Sequence, residues 1–219
     1  MRIIAGQRRG HKIDGPRPST GTRPTRDLIR EALFNILGEL VVDRTVVDLF
    51  AGTGALGLEA LSRGARRAIF IERDRENIGL IHRNIATLRY QDRTQVRLAD
   101  AYRWARSFEP IDDLPLVVFL DPPYREYEIR APEVNRMLSR LVEKMPPGSA
   151  VALESWRDLD GRILPELASW DIRRYGSSQV ALKIVPERLE GGSAPDLSAG
   201  RAECDEVLTA PDSEDGPDD

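Results

Sequence analysis

The stretch from residue 45 to residue 61 constrains the fold of this chain more than any other. It begins with a buried-strand pattern at Thr45 to Leu49 and ends with a helix pattern at Leu56 to Leu61. Between them lies a glycine-rich turn, Gly52-x-Gly54-x-x-Gly57. Glycines let a ligand approach bare backbone, and the helix N-terminus behind the turn offers unpaired N–H groups. The stretch therefore predicts a strand, a ligand-binding turn and a helix.

Asp48, just before the turn, bears on what that ligand is. The glycine pattern matches the fingerprint of dinucleotide-binding proteins, but that match alone is weak. A carboxylate at the mouth of the turn repels a pyrophosphate and attracts a cation, such as the ammonium group of S-adenosylmethionine (SAM). The charge favours SAM over a dinucleotide and leaves both open at this point.

Strand and helix patterns alternate from Thr45 onward, after a helix predicted from Thr25 to near Leu40. Strands are predicted over 45–49, 68–71, 96–98, 116–120 and 150–153, with two more near 170–175 and 179–185. Helices are predicted over about 55–63, 74–89, 101–108 and 132–143. This alternation is typical of a doubly wound α/β sheet, in which ligand residues lie at the carboxyl ends of the strands.

Two acidic residues follow predicted strands at the ligand-binding edge. Glu72 ends the second strand, where it could accept bonds from ribose hydroxyls or be a solvated strand end. Asp100 follows the third strand, where it could accept a bond from an adenine amino group or cap the helix that begins at Ala101. Neither residue separates SAM from a dinucleotide.

The run Asp121-Pro122-Pro123-Tyr124 after the fourth strand does separate them. Two prolines favour a rigid, extended exit and leave nearby carbonyls without ladder partners, so that these can accept bonds from a substrate. Asp121 can accept a second bond, and Tyr124 offers an aromatic face for stacking. Together they predict a site for the exocyclic amino group of a planar base. The alternative is a strand-ending turn whose tyrosine packs on the surface.

The chemistry of such a site follows from its acceptors. The amine of guanine or adenine is a poor nucleophile because its lone pair is delocalised into the ring. Acceptors that hold its two hydrogens favour a pyramidal amine and stabilise the positive charge that develops during attack. Placement in line with a sulfonium methyl group adds the effect of proximity.

Several longer stretches carry a family resemblance, and they span about residues 1 to 185. They are residues 1–6 with Arg9-Gly10, 22–25 with 30–37, 48–65, and 121–124. With them the chain resembles the bacterial 16S ribosomal RNA guanine-N2 methyltransferases of the RsmD type. Thr53 stands where serine is common in that family, which keeps the hydroxyl.

The resemblance implies a Rossmann-like class I methyltransferase with a seven-stranded, mostly parallel sheet, helices on both faces and an antiparallel last strand. It implies that SAM is held by the turn after the first strand and by residues at the next two strand ends, namely Asp48, Phe50, Ala51, Gly52, Gly54, Glu72, Asp100 and Ala101. It implies that Asp121 to Tyr124 receive the guanine. The partner implied is 16S ribosomal RNA or an assembly intermediate of the small subunit.

Charge is distributed unevenly along the chain. Residues 1–30 hold eight basic and two acidic groups, whereas residues 187–219 hold eleven acidic and two basic groups. The basic end suggests a polyanionic partner, although a solvated surface is the alternative. The resemblance implies that residues 1–24, here called the N-terminal arm, bind RNA phosphates, with Arg8, Arg9, Lys12 and Arg23 as candidates. We expect a basic hairpin and loop over 1–24, a methyltransferase domain over 25–186 and a disordered acidic tail over 187–219.

Composition excludes several other classes. No apolar run approaches the roughly 18 residues of a membrane helix, and the N-terminus lacks the apolar region of a signal peptide. The single cysteine, Cys204, excludes an internal disulfide, and no Cys/His cluster has zinc spacing. We expect a cytoplasmic monomer without a metal, and we expect His11 and His82 to be surface residues.

Three other functions stay open. An adenine-N6 methyltransferase acting on DNA or RNA would more often carry asparagine at the position of Asp121. A nucleotide-dependent oxidoreductase conflicts with Asp48 and with the Asp-Pro-Pro-Tyr run. A non-catalytic RNA-binding protein of the same fold would be expected to have decayed motifs, and these are intact.

Overall fold

A computed structural model of the chain describes residues 1–15, 25–110, 113–156 and 158–186. All of them belong to one compact unit, Met1–Glu187. The predicted acidic tail over 187–219 lies outside the described residues, and so does Arg23. None of the helices in the described ranges is long and apolar enough to cross a membrane.

Seven strands form one sheet in the order β3-β2-β1-β4-β5-β7-β6. Neighbours from β3 to β5 pair in parallel, whereas β7 is antiparallel to both β5 and β6. The strands are β1 Thr45–Asp48, β2 Arg67–Glu72, β3 Thr94–Leu98, β4 Leu116–Leu120, β5 Ala150–Ser155, β6 Asp171–Tyr175 and β7 Ser178–Ile184. This confirms the predicted seven-stranded sheet and its antiparallel last strand.

Helices cover both faces of the sheet. The α-helices are α1 Thr25–Leu37, α2 Ala55–Ser62, α3 Arg75–Leu88, α4 Ala101–Arg106, α5 Tyr124–Ile129 and α6 Ala131–Lys144. Short 3₁₀ helices are Gly6–Arg8, Gly38–Val41, Gln91–Arg93 and Leu167–Ser169. Along β4, Val117 and Phe119 pack with α1, α2 and α3, while Val118 and Leu120 pack with α4, α5 and α6. The alternation follows from the two-residue period of a strand, and burial on both faces explains its unbroken apolar run.

One local prediction differs from the structure. The extended exit after β4 ends at Pro123, because Tyr124 already begins α5. The first N–H groups of a helix have no partner within the helix. Proline, which has no N–H, therefore fits at a helix start at little cost.

The hairpin predicted within residues 1–24 is short: Arg2 and Lys12 form an antiparallel bridge, the N–H of Ile3 donates to the carbonyl of His11, and the N–H of Ile13 donates to the carbonyl of Met1. A 3₁₀ turn at Gly6–Arg8 lies between the two paired segments.

Candidate active site

The carboxyl ends of β1, β2 and β4 bring three predicted carboxylates together. These strands are neighbours in the sheet; Asp48 and Glu72 are the last residues of β1 and β2, and Asp121 directly follows β4. Their proximity is visible in the electrostatics, since the charges of Asp121 and Glu72 both raise the pKa of Asp48. The structure thus gathers at one edge three residues that are up to 73 positions apart in sequence.

The glycine turn is held in one conformation by its own backbone and by β2. Gly52 and Gly54 have positive φ angles of 53° and 79°, a region that favours glycine. Gly57 has no room for a side chain, because a Cβ atom there would lie 2.4 Å from the ring of Phe70. The three glycines of the pattern therefore serve turn geometry and close packing of α2 on β2.

Asp48 is a buried acid at this edge. Its side chain is 1% exposed, and Oδ2 accepts a hydrogen bond of 3.1 Å from the N–H of Gly57. Oδ1 is buried without a hydrogen-bond partner among the described residues. Burial, more than the neighbouring charges, raises the pKa of Asp48 to about 7. A cation placed at Oδ1 would supply the missing partner, so the site fits the ammonium group of SAM.

Glu72 supports the turn from the end of β2. Its Oε2 accepts from the N–H of Gly52 at 2.7 Å, and Oε1 accepts from the N–H groups of Arg73 and Asp74 at 2.8 Å each. A carboxylate has about four lone-pair sites, so capacity for a further donor remains. The solvated strand end that we considered for Glu72 is not observed, since the residue is buried.

Asp100, which follows β3, caps α4, and this is one of the two roles predicted for it. Its carboxylate accepts from the N–H of Arg103 at 2.8 Å and caps α4, whose first residue Ala101 is buried. Phe50 packs edge-on against Tyr102 of the same helix, with ring centroids 5.7 Å apart. Ala51 is buried after β1 and donates its N–H to Ile71 at 3.2 Å.

The Asp-Pro-Pro-Tyr run lies at the end of β4. Asp121 and Pro123 are exposed and Pro122 is buried. The carbonyl of Pro123 accepts from the N–H of Glu126 at 2.8 Å, which is not a ladder bond. The first turn of α5 supplies this partner. Tyr124 begins α5, and the placement of its side chain lies outside what the structure describes.

Tyr127 is a residue of this edge that sequence reasoning missed. Its hydroxyl donates to the carbonyl of Glu154 at 2.8 Å and links α5 to β5. Burial raises its pKa well above the usual range, and the nearby charges of Asp121 and Glu154 raise it further. The missed signal is its spacing, three residues after Tyr124, which places it one helical turn further along α5.

The N-terminal arm is held against α2 and α3 by buried polar side chains. Glu59, fully buried, accepts from the N–H groups of Ile4 and Ala5 at 2.8 and 3.0 Å. Ser62 accepts from the N–H of Arg8 at 2.9 Å. We did not predict these contacts; a lone charge within the apolar run of α2 was the available signal.

Asn84 connects the same arm to the glycine turn. Its Oδ1 accepts from the N–H of Asp14 at 2.7 Å, and Nδ2 donates to the carbonyls of Asp14 and Thr53 at 3.1 and 3.0 Å. Asn84 is 1% exposed, so these bonds are shielded from water. The arm and the turn are therefore neighbours in space.

The predicted RNA-binding cations divide into two groups. Arg9 and Lys12 are exposed on the arm, as a phosphate contact requires. Arg8 is half-buried, and its guanidinium lies 5.7 Å from the centre of the Tyr90 ring, so it also has a structural role. Arg23 lies outside the described residues. His11 and His82 are exposed, as predicted.

Comparisons with known proteins agree with this geometry. A family model described as "Conserved hypothetical protein 95" matches residues 1–184. The ribosomal RNA small subunit methyltransferase D of Escherichia coli K12 is 35% identical over 201 residues, which cover 90% of this chain and 94% of that protein.

Two solved structures are also similar in fold to this chain. The YhhF protein of Escherichia coli has a TM-score of 0.67 at 33% identity, with 86% of this chain and 99% of that chain covered. An RNA methyltransferase of Salinibacter ruber, solved with S-adenosyl-L-homocysteine, has a TM-score of 0.54 at 18% identity and covers 78% of this chain and 96% of its own. That second likeness shows the fold alone. The match over nearly the whole body confirms the predicted resemblance, and the chain belongs to the family of the ribosomal RNA small subunit methyltransferase D.

Proposed function

We propose that this chain transfers a methyl group from SAM to the exocyclic N2 amine of a guanine in 16S ribosomal RNA. The observation that carries the proposal is the position of Asp121, exposed at the end of β4 beside the buried carboxylates of Asp48 and Glu72. One edge of the sheet therefore offers acceptors for a base amine next to acceptors for a cationic cofactor.

The residues proposed to hold SAM surround the end of β1. Asp48 would face the ammonium group, Glu72 would accept from the ribose hydroxyls, and Asp100 with Ala101 would contact the adenine. The turn that contains Phe50, Ala51, Gly52 and Gly54 would contribute backbone contacts. When bound there, SAM supplies a methyl group that its sulfonium activates for displacement.

The chain's own groups prepare the amine for attack. Asp121 accepts one amine hydrogen, and a backbone carbonyl of the Asp-Pro-Pro-Tyr run accepts the other. Both acceptors stabilise the positive charge that appears as the N–C bond forms and the S–C bond breaks. The proton that the amine then loses passes to solvent. Tyr124 provides the face on which the guanine stacks.

The arm is proposed to bind RNA phosphates through Arg9 and Lys12, with Arg8 and Arg23 as further contacts. RNA targets of this kind are unpaired bases, which cost little to extrude. We place the reaction in the cytoplasm, on naked 16S RNA or an assembly intermediate of the small subunit, with the protein as a monomer. Residues 1–24, 25–186 and 187–219 are proposed as arm, catalytic domain and acidic tail.

The test is methyl transfer from labelled SAM to small-subunit ribosomal RNA, supplied naked and in protein-bound particles, followed by nucleoside analysis. N2-methylguanosine at one site supports the proposal, and the better substrate identifies the assembly stage. N6-methyladenosine would instead indicate the adenine enzyme. SAM binding without transfer to either substrate would contradict the proposed RNA target.

A further inference from the structure

Glu126 lies in α5, two residues after the Asp-Pro-Pro-Tyr run, and is 7% exposed. Three groups surround its carboxylate. The hydroxyl of Tyr102 donates to Oε2 at 3.0 Å, Arg130 lies 3.5 Å from the same oxygen, and Arg73 lies 3.6 Å from Oε1. The buried carboxylate therefore has one hydroxyl donor and two guanidinium groups as partners, and each comes from a different part of the chain.

Two of these partners come from the end of the sheet that is proposed to hold SAM. Arg73 directly follows Glu72 and donates its own N–H to the Glu72 carboxylate at 2.8 Å. Tyr102 directly follows Ala101 and packs edge-on against Phe50. The third partner, Arg130, stacks its guanidinium 4.0 Å from the centre of the Tyr102 ring.

The contacts are not needed to form α5 itself. The helix has six residues, and its backbone bonds already join Glu126 to Pro123 and Arg130 to Glu126. The carboxylate adds a connection from α5 to the residue after β2 and to the first turn of α4. The same helix begins at Tyr124, so the connection ends at the proposed base-binding run.

We infer that Glu126 is a positioning residue that couples occupation of the cofactor site to the ordering of α5, whose first residue, Tyr124, belongs to the proposed base-binding run. The inference rests on the proposed function, because it takes SAM as the ligand at Phe50, Glu72 and Ala101. A ligand that orders these residues also fixes Arg73 and Tyr102, and these hold the Glu126 carboxylate in place. Binding of cofactor before RNA then presents Asp121 and Tyr124 in one arrangement.

The test is amide hydrogen exchange of the full chain with and without S-adenosyl-L-homocysteine. In the wild-type protein, the product is expected to slow exchange over residues 124–130 by about fivefold or more, the lower end of couplings between sites. Glu126→Gln keeps the size of the side chain and removes its charge. We expect it to lose this slowing while residues 50–57 remain protected by the ligand.

Two further variants make the experiment specific. Arg73→Gln breaks the same connection at the β2 end, where the side chain is 59% exposed and folding is not at risk, and it should reproduce the loss. Glu109→Gln is the matched control, since it breaks the exposed ion pair with Lys144 and should leave the slowing intact.

The outcomes separate the inference from the proposed function. Ligand binding without slower exchange in residues 124–130, or unchanged slowing in both Glu126→Gln and Arg73→Gln, overturns the inference alone. Failure of the wild-type protein to bind S-adenosyl-L-homocysteine at all overturns the proposed function, and the inference with it.

Discussion

The carboxylate of Glu72 accepts a hydrogen bond of 2.7 Å from the backbone N–H of Gly52. This bond joins the end of β2 to the glycine turn after β1, across 20 positions of sequence. A residue proposed to bind the ribose therefore also shapes the turn that is proposed to hold SAM. Such support fixes the geometry of a binding site before the ligand arrives, which reduces the ordering that binding requires.

Asp48 should make the ligand-free protein less stable as pH rises. Its pKa of about 7 in the folded state exceeds the value of about 3.9 expected for an unfolded chain, so folding favours the protonated form. The resulting stability is present below about pH 4 and is lost as pH rises towards 7. We expect Asp48→Asn to reduce this loss by on the order of 2–4 kcal/mol, measured by denaturant unfolding at pH 4 and pH 8.

The same variant should weaken binding of S-adenosyl-L-homocysteine at pH 8 by about tenfold or more, because a paired charge is lost. Titration calorimetry of the wild-type protein and the variant checks this. An unchanged affinity would remove Asp48 from the ammonium contact.

Asp121→Ala should slow methyl transfer severely and leave cofactor binding nearly intact. Loss of one acceptor for developing charge costs about 100-fold or more in rate. Removal of its charge also lowers the pKa of Asp48, which favours the ionised form needed to bind the cofactor. Single-turnover transfer and ligand titration measure the two effects, with exposed Asp113→Ala as the control. Loss of cofactor affinity alone would contradict the assigned role.

Gly6→Ala should displace the arm, whereas Gly10→Ala should not. Both glycines have φ near +80°, so alanine strains the backbone similarly at each. A Cβ atom at Gly6 would lie 1.9 Å from the carbonyl oxygen of Ser62, while none of the described residues lies within 4 Å of one at Gly10. We expect Gly6→Ala to cost about 1–3 kcal/mol more in unfolding free energy and to weaken RNA binding. Equal losses in the two variants would show that the arm is not closely docked.

Arg9 and Lys12 should contribute to the salt dependence of RNA binding. Each phosphate contact adds roughly 0.7 to 0.9 to the slope of log affinity against log salt. The double change to alanine should therefore lower that slope by about 1.5. Arg162 and Arg173, exposed and paired with Asp160 and Asp171, are the control positions. If only the variant at the control positions lowered the slope, RNA would bind at a surface other than the arm.

Removal of residues 190–219 should leave the melting temperature within about 2 °C of the full chain. The segment has the charge-rich, apolar-poor composition that does not form a core. Differential scanning calorimetry of both proteins gives the comparison. A fall of about 10 °C would show that the tail packs on the domain and would contradict the proposed boundary.

Local pattern predicted most of the fold. The strand at 116–120 was predicted and observed with the same limits, because an unbroken apolar run suits a central strand with two covered faces. The helix over Tyr124–Ile129 was missed, because the two prolines favoured an extended chain. A six-residue helix gains little from its own backbone bonds. Its stability comes from buried contacts such as that of Tyr127 with Glu154, which no local pattern encodes.

Periodicity, glycine spacing and proline pairs are properties of neighbouring residues, and they sufficed to predict the α/β sheet and the edge where the proposed ligand residues gather. They also suggested the identity of Asp48, Glu72 and Asp121 as site residues. The pKa of Asp48, the docking of the arm by Glu59 and Asn84, and the partners of Glu126 could not be predicted in this way. Each depends on burial and on distances between segments far apart in the chain, and these exist only after the chain has folded.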